Sequence, residues 1–299
     1  MDERQLRVLR ELGELGSVRA VAEALGITPS AVSQQIRLLQ RPIPVALTER
    51  CGRVLALTDA GRDLAAAGAE VQAALARARE VARGLSTEPA GTVTVSGFSS
   101  AALSYFPDLV ARFPVGGRVE VAVADEDVTQ DAFPRLTAAY DVVIAHRLEH
   151  TPAWPSSVRT VALLREPLDV ALPEGHPLSE RRRLSAALVA DEPWIATHTG
   201  FPVGATIDAI SAVAGRPVTI RHRVNEFTVA VELVRSGAGL ALIPRWTTAR
   251  PDGVLLRPLS GISSSRRIDA LLRPEHAHRP AVREVLTQLR ATSERLSLG

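Results

Sequence analysis

The side chains best placed for covalent chemistry lie around Ser99. Residues 97–101 read Gly-Phe-Ser-Ser-Ala and follow a predicted strand. A nucleophile elbow exposes a reactive serine at such a strand-to-helix turn, here with alanine in place of the final glycine. Seven histidines are candidate bases. No glycine run that could form an oxyanion hole precedes Ser99, so no catalytic residue is assigned. A hydrolase with Ser99 as nucleophile stays open as an alternative.

Other reactive groups point to neither a metal nor a cofactor. His276 and His278 lie between prolines without a third ligand in view, so we predict an exposed loop there. Cys51 is the only cysteine, and a thiol without a resolving partner favours a small structural residue over a redox sensor. All 35 basic residues are arginine, which excludes a P-loop lysine, a pyridoxal Schiff base and a Ser-Lys hydrolase.

Length and composition indicate about two ordinary domains. The 299 residues are 46% hydrophobic and 23% charged, the mixture of a globular protein. No run approaches the roughly 18 apolar residues of a membrane span. The N-terminus lacks the basic-then-apolar shape of a secretory signal. We therefore expect an intracellular, cytoplasmic protein, and the heavy use of alanine and arginine suggests a bacterial source.

The N-terminal residues predict a helix-turn-helix. Ser17 can cap a helix over residues 18–25, and Gly26 allows the sharp turn after it. Thr28 can cap a second helix that has Pro29 in its first position. Apolar residues at helical spacing let the two helices cross steeply. An ordinary corner between two helices would need the same features, so this alternative stays open.

The second helix and a following hairpin predict a DNA-binding surface. Residues 47–57 form a short hairpin, or wing, beyond the helix. Residues 33–53 contain four arginines and one glutamate, which places positive charge where phosphates would lie, although a merely solvated basic face is the alternative. Side chains suited to bases or phosphates are expected at Thr28, Pro29, Ser30, Ser33, Gln34, Arg37, Arg50 and Arg53.

The alanine-rich segment 58–86 predicts one long helix. Its length would be about 43 Å at 1.5 Å per residue. Apolar residues alternate at spacings of four and three, which indicates a heptad seam for a partner helix. Packing onto the chain's own body is the alternative. The seam residues are Leu64, Gly68, Val71, Leu75, Ala78, Ala82 and Leu85.

Residues 91–299 alternate strands with helices, which predicts an α/β region with a mainly parallel sheet. The strands fall into two lobes. The first comprises residues of about 91–160 and 268–299, and the second comprises about 161–267. We therefore expect three parts: 1–57, 58–86 and 91–299.

The first 62 residues resemble the winged helix-turn-helix of LysR-type transcriptional regulators. The likeness is carried by residues 16–17, 22–28, 30–39, 49–53 and 57–61. Pro42, Pro44 and Thr48 depart from the family's pattern. Because proline fixes φ and removes a donor, we expect the second helix to end by Arg41 and the wing approach to differ.

The resemblance also covers the rest of the chain. The run over residues 236–244, Ser-Gly-Ala-Gly-Leu-Ala-Leu-Ile-Pro, is similar to the signature of the family's effector domain, a two-lobed fold like periplasmic binding proteins. The resemblance implies a homodimer that forms through the long helix, and dimers that pair into tetramers. It also implies binding to double-stranded DNA that carries an interrupted inverted repeat. A small-molecule effector and RNA polymerase are the further partners that it implies.

A ligand of such a fold lies between the lobes, where strand ends and helix N-termini meet. Ser99 and Ser100 begin a predicted helix, whose free N–H groups favour an anion such as a carboxylate. The alternatives are that the two serines only cap the helix, or that this region only assembles subunits. The other expected lining residues follow strands or precede a helix: His146, Thr197, His198, Phe201 and Asn225.

Overall fold

A computed structural model of the chain describes residues 1–51, 54–83, 88–249 and 252–298. Within these ranges no helix is long and apolar enough to cross a membrane. Three short helices and a hairpin come first, one long helix follows, and a two-lobed α/β region makes up the remainder.

Helices α2 (Val18–Leu25) and α3 (Pro29–Gln40) begin where Ser17 and Thr28 predict, and α1 (Glu3–Leu15) precedes them. The Ser17 hydroxyl accepts a hydrogen bond from the Ala20 N–H at 3.3 Å. Gly26 has a φ of 63°, the left-handed conformation that lets the chain turn between α2 and α3. The three helices enclose a small apolar core built on Val8, Leu9, Leu12, Val21, Val32 and Leu39.

The wing consists of β1 (Thr48–Cys51) and β2 (Val54–Leu57), paired antiparallel. It begins one residue later than predicted, because Leu47 is buried in the core of the three helices. Gln40, the last residue of α3, organises the turn that contains the two prolines. Its amide nitrogen donates to the carbonyls of Ile43 and Val45, and its amide oxygen accepts from the Leu47 N–H.

The long helix α4 is described over Asp59–Arg83, and residues 84–86 of its predicted extent lie outside the described ranges. Thr58 precedes the helix and accepts a hydrogen bond from the Gly61 N–H at 3.1 Å. Along one face, small residues allow α4 to pack against α1: a Cβ at Gly68 would lie 3.1 Å from the Cβ of Leu6. Part of the helix therefore packs on the chain's own body.

The remaining elements alternate strands and helices in the order expected of an α/β region. They are β3 (Gly91–Gly97), α5 (Ser99–Arg112), β4 (Val119–Asp125), α6 (Phe133–Leu136), β5 (Val142–Leu148), β6 (Arg159–Pro173), β7 (Leu184–Ser185), α7 (Ala186–Val189), β8 (Pro193–Ala196), α8 (Pro202–Ala214), β9 (Thr219–Arg223), α9 (Phe227–Arg235), β10 (Leu240–Pro244), β11 (Val254–Arg257), β12 (Leu259–Ser260), β13 (Ser265–Leu272) and α10 (Pro280–Leu298).

Two long strands, β6 and β13, join the lobes. The main sheet runs in the order β4-β3-β5-β13-β6-β10-β8-β9, and β11 also pairs with β6. The outer pairings are parallel, but every pairing of β6 and β13 is antiparallel. The expectation of a mainly parallel sheet is therefore wrong at the centre, because strands that run directly from one lobe to the other need no helical crossover.

The lobe boundary also lies elsewhere than predicted. Residues 159–167 of β6 pair with β13 beside the first lobe, and residues 168–173 pair with β10 and β11 of the second. The change of lobe therefore comes near Pro167, not at 161. Each lobe has its own apolar core, one around Tyr105 and Ile144 and one around Trp194.

Candidate DNA-binding surface and interlobe cleft

One face of α3 presents polar side chains to solvent beside an open groove of about 750 Å³. Ser30, Gln34 and Arg37 line this groove and are exposed. Thr28 and Pro29 are also exposed at the start of the helix. Most of the residues expected to face DNA therefore share one side of α3.

Four of these side chains also make local hydrogen bonds, and two of them, Thr28 and Ser30, share one between their hydroxyls at 2.9 Å. The Thr28 hydroxyl caps the helix by accepting from the Ala31 N–H at 3.2 Å. The half-buried Ser33 donates its hydroxyl to the Pro29 carbonyl at 3.0 Å. Arg37 donates through Nε to the Ser33 carbonyl. Gln34 has no such local bond among the described residues and stands exposed, so its amide is the best placed to contact a base edge.

The wing adds one described arginine to this surface. Arg50 lies on β1 and is exposed. Arg53, the other predicted wing contact, lies outside the described residues, as does Gly52. The hairpin starts directly after the Gln40-stabilised turn. Helix α3 ends at Gln40, in agreement with the prediction that it ends by Arg41.

The predicted seam of α4 divides into two sets. Leu64 packs against the core of the three N-terminal helices, and Gly68 is buried against Leu6. These two residues therefore contact their own chain. Val71, with 44% of its surface exposed, shares the outward side of the helix with Ala78 and Ala82, and Leu75 is half-buried. Leu85 lies outside the described residues.

Six of the seven residues predicted to bind an effector line one small cavity between the lobes. Its volume is about 30 Å³, room for about two water molecules in this arrangement of the lobes. The sequence-predicted members are Ser99, Ser100, His146, Thr197, Phe201 and Asn225, and the others are Phe98, Asp127, Val203, Glu226, Phe227 and Arg266. His198 is exposed outside the lining, and its backbone N–H donates to the side-chain oxygen Oδ1 of Asn225 at 3.0 Å.

Arg266 is the most heavily buried charge in the cavity lining. Its side chain is 0% exposed, and its Nε donates to Glu166 at 2.9 Å. Its Nη2 donates to the hydroxyls of Ser100 and Thr247. Nη1 is buried and has no hydrogen-bond partner among the described residues. An acceptor on a bound molecule would satisfy this donor.

Aromatic rings from both lobes flank the Arg266 guanidinium. Its carbon lies 5.0 Å from the ring centre of Phe98 in the first lobe and 5.5 Å from that of Phe227 in the second. The other carboxylate oxygen of Glu166 is also hydrogen-bonded, since the Trp246 and Thr247 N–H groups donate to Oε1. The guanidinium is therefore held rigidly at the floor of the cavity.

The two serines do not cap α5 with their side chains. Phe98 is the N-cap residue, and no side chain caps the helix. Ser99 instead donates its hydroxyl to Glu226 at 2.7 Å, a contact between the lobes, and Ser100 accepts from Arg266. The alternative in which they only cap the helix is wrong, and the helix N–H groups stay directed towards the cavity end of α5.

The remaining cavity groups are polar and partly unsatisfied. The His146 ring centre lies 4.3 Å from that of Phe98, with the two rings tilted by 55°. Burial together with nearby Arg266 lowers the pKa of His146 well below the usual value, which favours the neutral ring. Its Nδ1 and the Thr197 hydroxyl have no partner among the described residues. The pKa of Asp127 is raised by partial burial and by the neighbouring Glu226 carboxylate.

Sequence reasoning missed three charged residues of the lining, Arg266, Asp127 and Glu226. The chain is predicted to return to the first lobe at residue 268, whereas β13 begins at Ser265, so the prediction leaves Arg266 outside the last strand. Its burial depends on Glu166, a carboxylate in the middle of another strand. The one signal in the sequence was a charged residue inside a strand, because a buried charge needs a partner of opposite charge.

Two of the histidines outside the cleft lie on a short helical turn and on a strand. His276 is in a short turn of helix and lies 3.3 Å from Asp141. In the described ranges no group of three His, Cys, Asp or Glu side chains is arranged to hold a metal ion. His222 is exposed on β9.

Comparisons with known proteins cover both halves of the chain. Residues 3–62 match the family described as bacterial regulatory helix-turn-helix protein, lysR family, and residues 86–294 match the LysR substrate binding domain. The chain is 28% identical to the RuBisCO operon transcriptional regulator of Allochromatium vinosum, over 80% of this chain and 78% of that protein.

Two solved structures share the fold. A full-length OxyR variant from Pseudomonas aeruginosa has a TM-score of 0.65 at 18% identity and covers 98% of this chain and 94% of its own. CbnR complexed with its target DNA has a TM-score of 0.53 at 20% identity, over 98% of this chain and all of that one. The family consists of regulators and not of enzymes, which removes the hydrolase alternative. The chain belongs to the LysR family of transcriptional regulators, with a DNA-binding helix-turn-helix and an effector-binding domain.

Proposed function

We propose that two copies of the chain read an interrupted inverted repeat in DNA, each through α3. The observation that carries this proposal is the single exposed face of α3 on which Ser30, Gln34 and Arg37 lie beside an open groove. Ser30 and Gln34 suit base edges, and Arg37 and Arg50 suit phosphates. The regulator acts in the cytoplasm, where its DNA is.

The outward side of α4 supports pairing of two copies. Val71 and Val81 are 44% and 79% exposed on this helix, and small side chains at Ala78 and Ala82 would let a partner helix approach closely. Pairing fixes the distance between two α3 helices and hence between two half-sites. Tetramers and contact with RNA polymerase extend this proposal.

A substitution on α4 tests the dimer. Val71→Arg should convert the full chain to monomers in sedimentation velocity, because a charge would replace an apolar contact. Val115→Arg is the matched control, since Val115 is 93% exposed in a loop of the effector domain. An unchanged mass for Val71→Arg would show that this side of α4 does not pair subunits.

The interlobe cavity supports a small effector that carries a carboxylate. The buried Arg266 Nη1 lacks an acceptor, and the N-terminus of α5 adds the positive end of a helix dipole. A cleft without a ligand would leave this donor unsatisfied, which argues against a domain that only assembles subunits.

An effector can act only by favouring one arrangement of the lobes. In the described arrangement the Ser99 hydroxyl of the first lobe donates to Glu226 of the second. A molecule that binds these groups changes the balance between open and closed lobes. That change alters how dimers sit against each other and bends the DNA, while the base contacts of α3 are kept.

Selection of bound fragments from a random-sequence DNA pool tests the proposed function. The full-length chain should enrich an interrupted sequence with two-fold symmetry. Enrichment of a single asymmetric half-site, or of no sequence at moderate ionic strength, would contradict the proposal.

A further inference from the structure

We propose that the interlobe cleft selects a zwitterion, a small amino acid whose carboxylate lies on Arg266 and Ser100 and whose ammonium lies between Asp127 and Glu226. Because the cavity of about 30 Å³ has room for about two water molecules only, this ligand binds when the lobes are further apart than in the described arrangement. This inference rests on the proposed effector role of the cleft and adds the chemical class of the ligand. It follows from the charges that line the cavity and from their arrangement between floor and mouth.

The floor of the cavity accepts an anion. Arg266 is fully buried, and its Nη1 has no acceptor among the described residues. The helix α5 begins beside it without a side-chain cap, so backbone N–H groups reinforce the positive potential. Ser100 is buried and already touches the guanidinium at 2.9 Å. A carboxylate at this position would accept from Nη1.

The mouth of the cavity carries the opposite charge. Asp127 and Glu226 both line it and are exposed, one on each lobe. Each carboxylate accepts one neutral hydrogen bond, from Asn225 at 3.4 Å and from Ser99 at 2.7 Å. The ion pairs described for this chain include none to either group. Their mutual repulsion contributes to the raised pKa of Asp127.

The charge balance separates a zwitterion from a plain acid. Arg266 is already neutralised by Glu166, so the two mouth carboxylates leave the lining negative. A ligand with only a carboxylate would bring a further negative charge to this lining. An ammonium group between Asp127 and Glu226 would reverse that effect, because it places a cation between two like charges.

The same arrangement gives the ammonium a role in closing the lobes. Asp127 lies after β4 in the first lobe, and Glu226 precedes α9 in the second. A cation held by both would replace repulsion across the cleft with attraction. The amine therefore favours the closed arrangement, and the carboxylate anchors the ligand at the floor.

Matched pairs of compounds test this inference on the full-length chain. Thermal shift and calorimetry would compare glycine with acetate, L-alanine with propionate and L-serine with 3-hydroxypropionate. We expect at least one amino acid to bind about tenfold or more tightly than its partner that lacks the amine, as one charge-assisted hydrogen bond predicts.

Conservative variants assign the preference to the mouth. Glu226→Gln keeps an acceptor for Ser99 but removes the charge, and Asp127→Asn does the same across the cleft. Both should lose the preference for the amine and keep the melting temperature of the unliganded protein. Asp131→Asn is the control, because Asp131 is exposed and lies outside the lining. A preference that persists in both variants would overturn the inference.

The outcomes distinguish the inference from the proposed function beneath it. Equal or tighter binding of acetate or propionate would overturn the zwitterion and leave a carboxylate effector standing. If neither the amino acids nor the plain acids bound, both the zwitterion and the carboxylate effector would be overturned. Ser100→Ala would then show no less binding of these compounds than the wild type. Amine-dependent binding that Ser100→Ala weakens, with an unchanged melting temperature of the free protein, supports both.

Discussion

Arg273, directly after β13, pairs with Glu11 of α1, and both side chains are almost completely buried. The Nη2–Oε2 distance is 2.6 Å. Beside this pair, Arg10 of α1 donates to Glu275 at 3.0 Å and to Gln72 of α4 at 3.0 Å. A buried group of alternating charges therefore joins the helix-turn-helix to the effector domain.

Loss of the Arg273 charge should loosen that junction. Arg273→Ala leaves the Glu11 carboxylate buried without its partner, which costs about 3–5 kcal/mol when the site stays closed. We expect the two domains to separate, so that amides of α1 exchange hydrogen faster in mass spectrometry.

Arg79→Ala is the control for this substitution. Arg79 pairs with Glu3 at 3.1 Å on the surface, where an ion pair contributes at most about 1 kcal/mol. Equal exchange rates of α1 in the two variants would mean that the buried pair does not hold the domains together.

At Gly61, helix α4 lies close to the backbone of Leu47, the residue directly before the wing. A Cβ there would lie 2.0 Å from the Leu47 carbonyl oxygen, so Gly61→Ala should destabilise the N-terminal domain by about 1–3 kcal/mol in chemical denaturation. At Gly175 the same substitution meets nothing within 4 Å. If Gly175→Ala proved as destabilising as Gly61→Ala, the close approach would not be the cause.

His146 should make stability depend on pH. Its folded pKa lies well below the ordinary 6.5 because the ring is buried near Arg266. Below about pH 6.5 the unfolded chain therefore binds a proton that the folded chain does not, and stability is lost as the pH falls towards the folded pKa. The slope approaches about 1.4 kcal/mol per pH unit.

His146→Phe tests this dependence while keeping a ring against Phe98 and Phe133. The free energy of unfolding of the variant should vary less between pH 7 and pH 5 than that of the wild type. Identical pH profiles would assign the loss of stability to other groups.

Local signals predicted much of this fold and part of its site. The caps at Ser17 and Thr28 and the proline at the start of α3 act within one helical turn, so the sequence alone placed those elements. Strand ends and helix starts likewise pointed to the cavity at Ser99 and Asn225. These signals need no knowledge of distant parts of the chain.

Long-range relationships could not be predicted in the same way. The burial of Arg266 requires Glu166 from another strand, and the position of Glu11 requires Arg273 from the far end of the chain. The heptad pattern in α4 could not show whether its seam packs against a partner helix or against α1. In the structure Gly68 packs against Leu6 of α1. Such choices depend on tertiary packing and not on spacing.

Arg37 should contribute affinity without sequence preference. Arg37→Ala removes one exposed charge from the groove beside α3. We expect binding to weaken about equally on all DNA sequences, and the dependence of log affinity on log salt to decrease by about one unit. Fluorescence anisotropy at several salt concentrations measures both. An unchanged salt dependence would remove Arg37 from the phosphate contacts.

The claim that α3 reads bases is tested most directly by sequencing the DNA selected by wild-type and Gln34→Ala proteins from one random pool. Gln34 is exposed on α3, and loss of its amide should relax one position in each half-site, worth about 1–3 kcal/mol of discrimination, with the symmetry and spacing retained. Two identical base-preference profiles would contradict the assignment of α3 as the reading helix through Gln34.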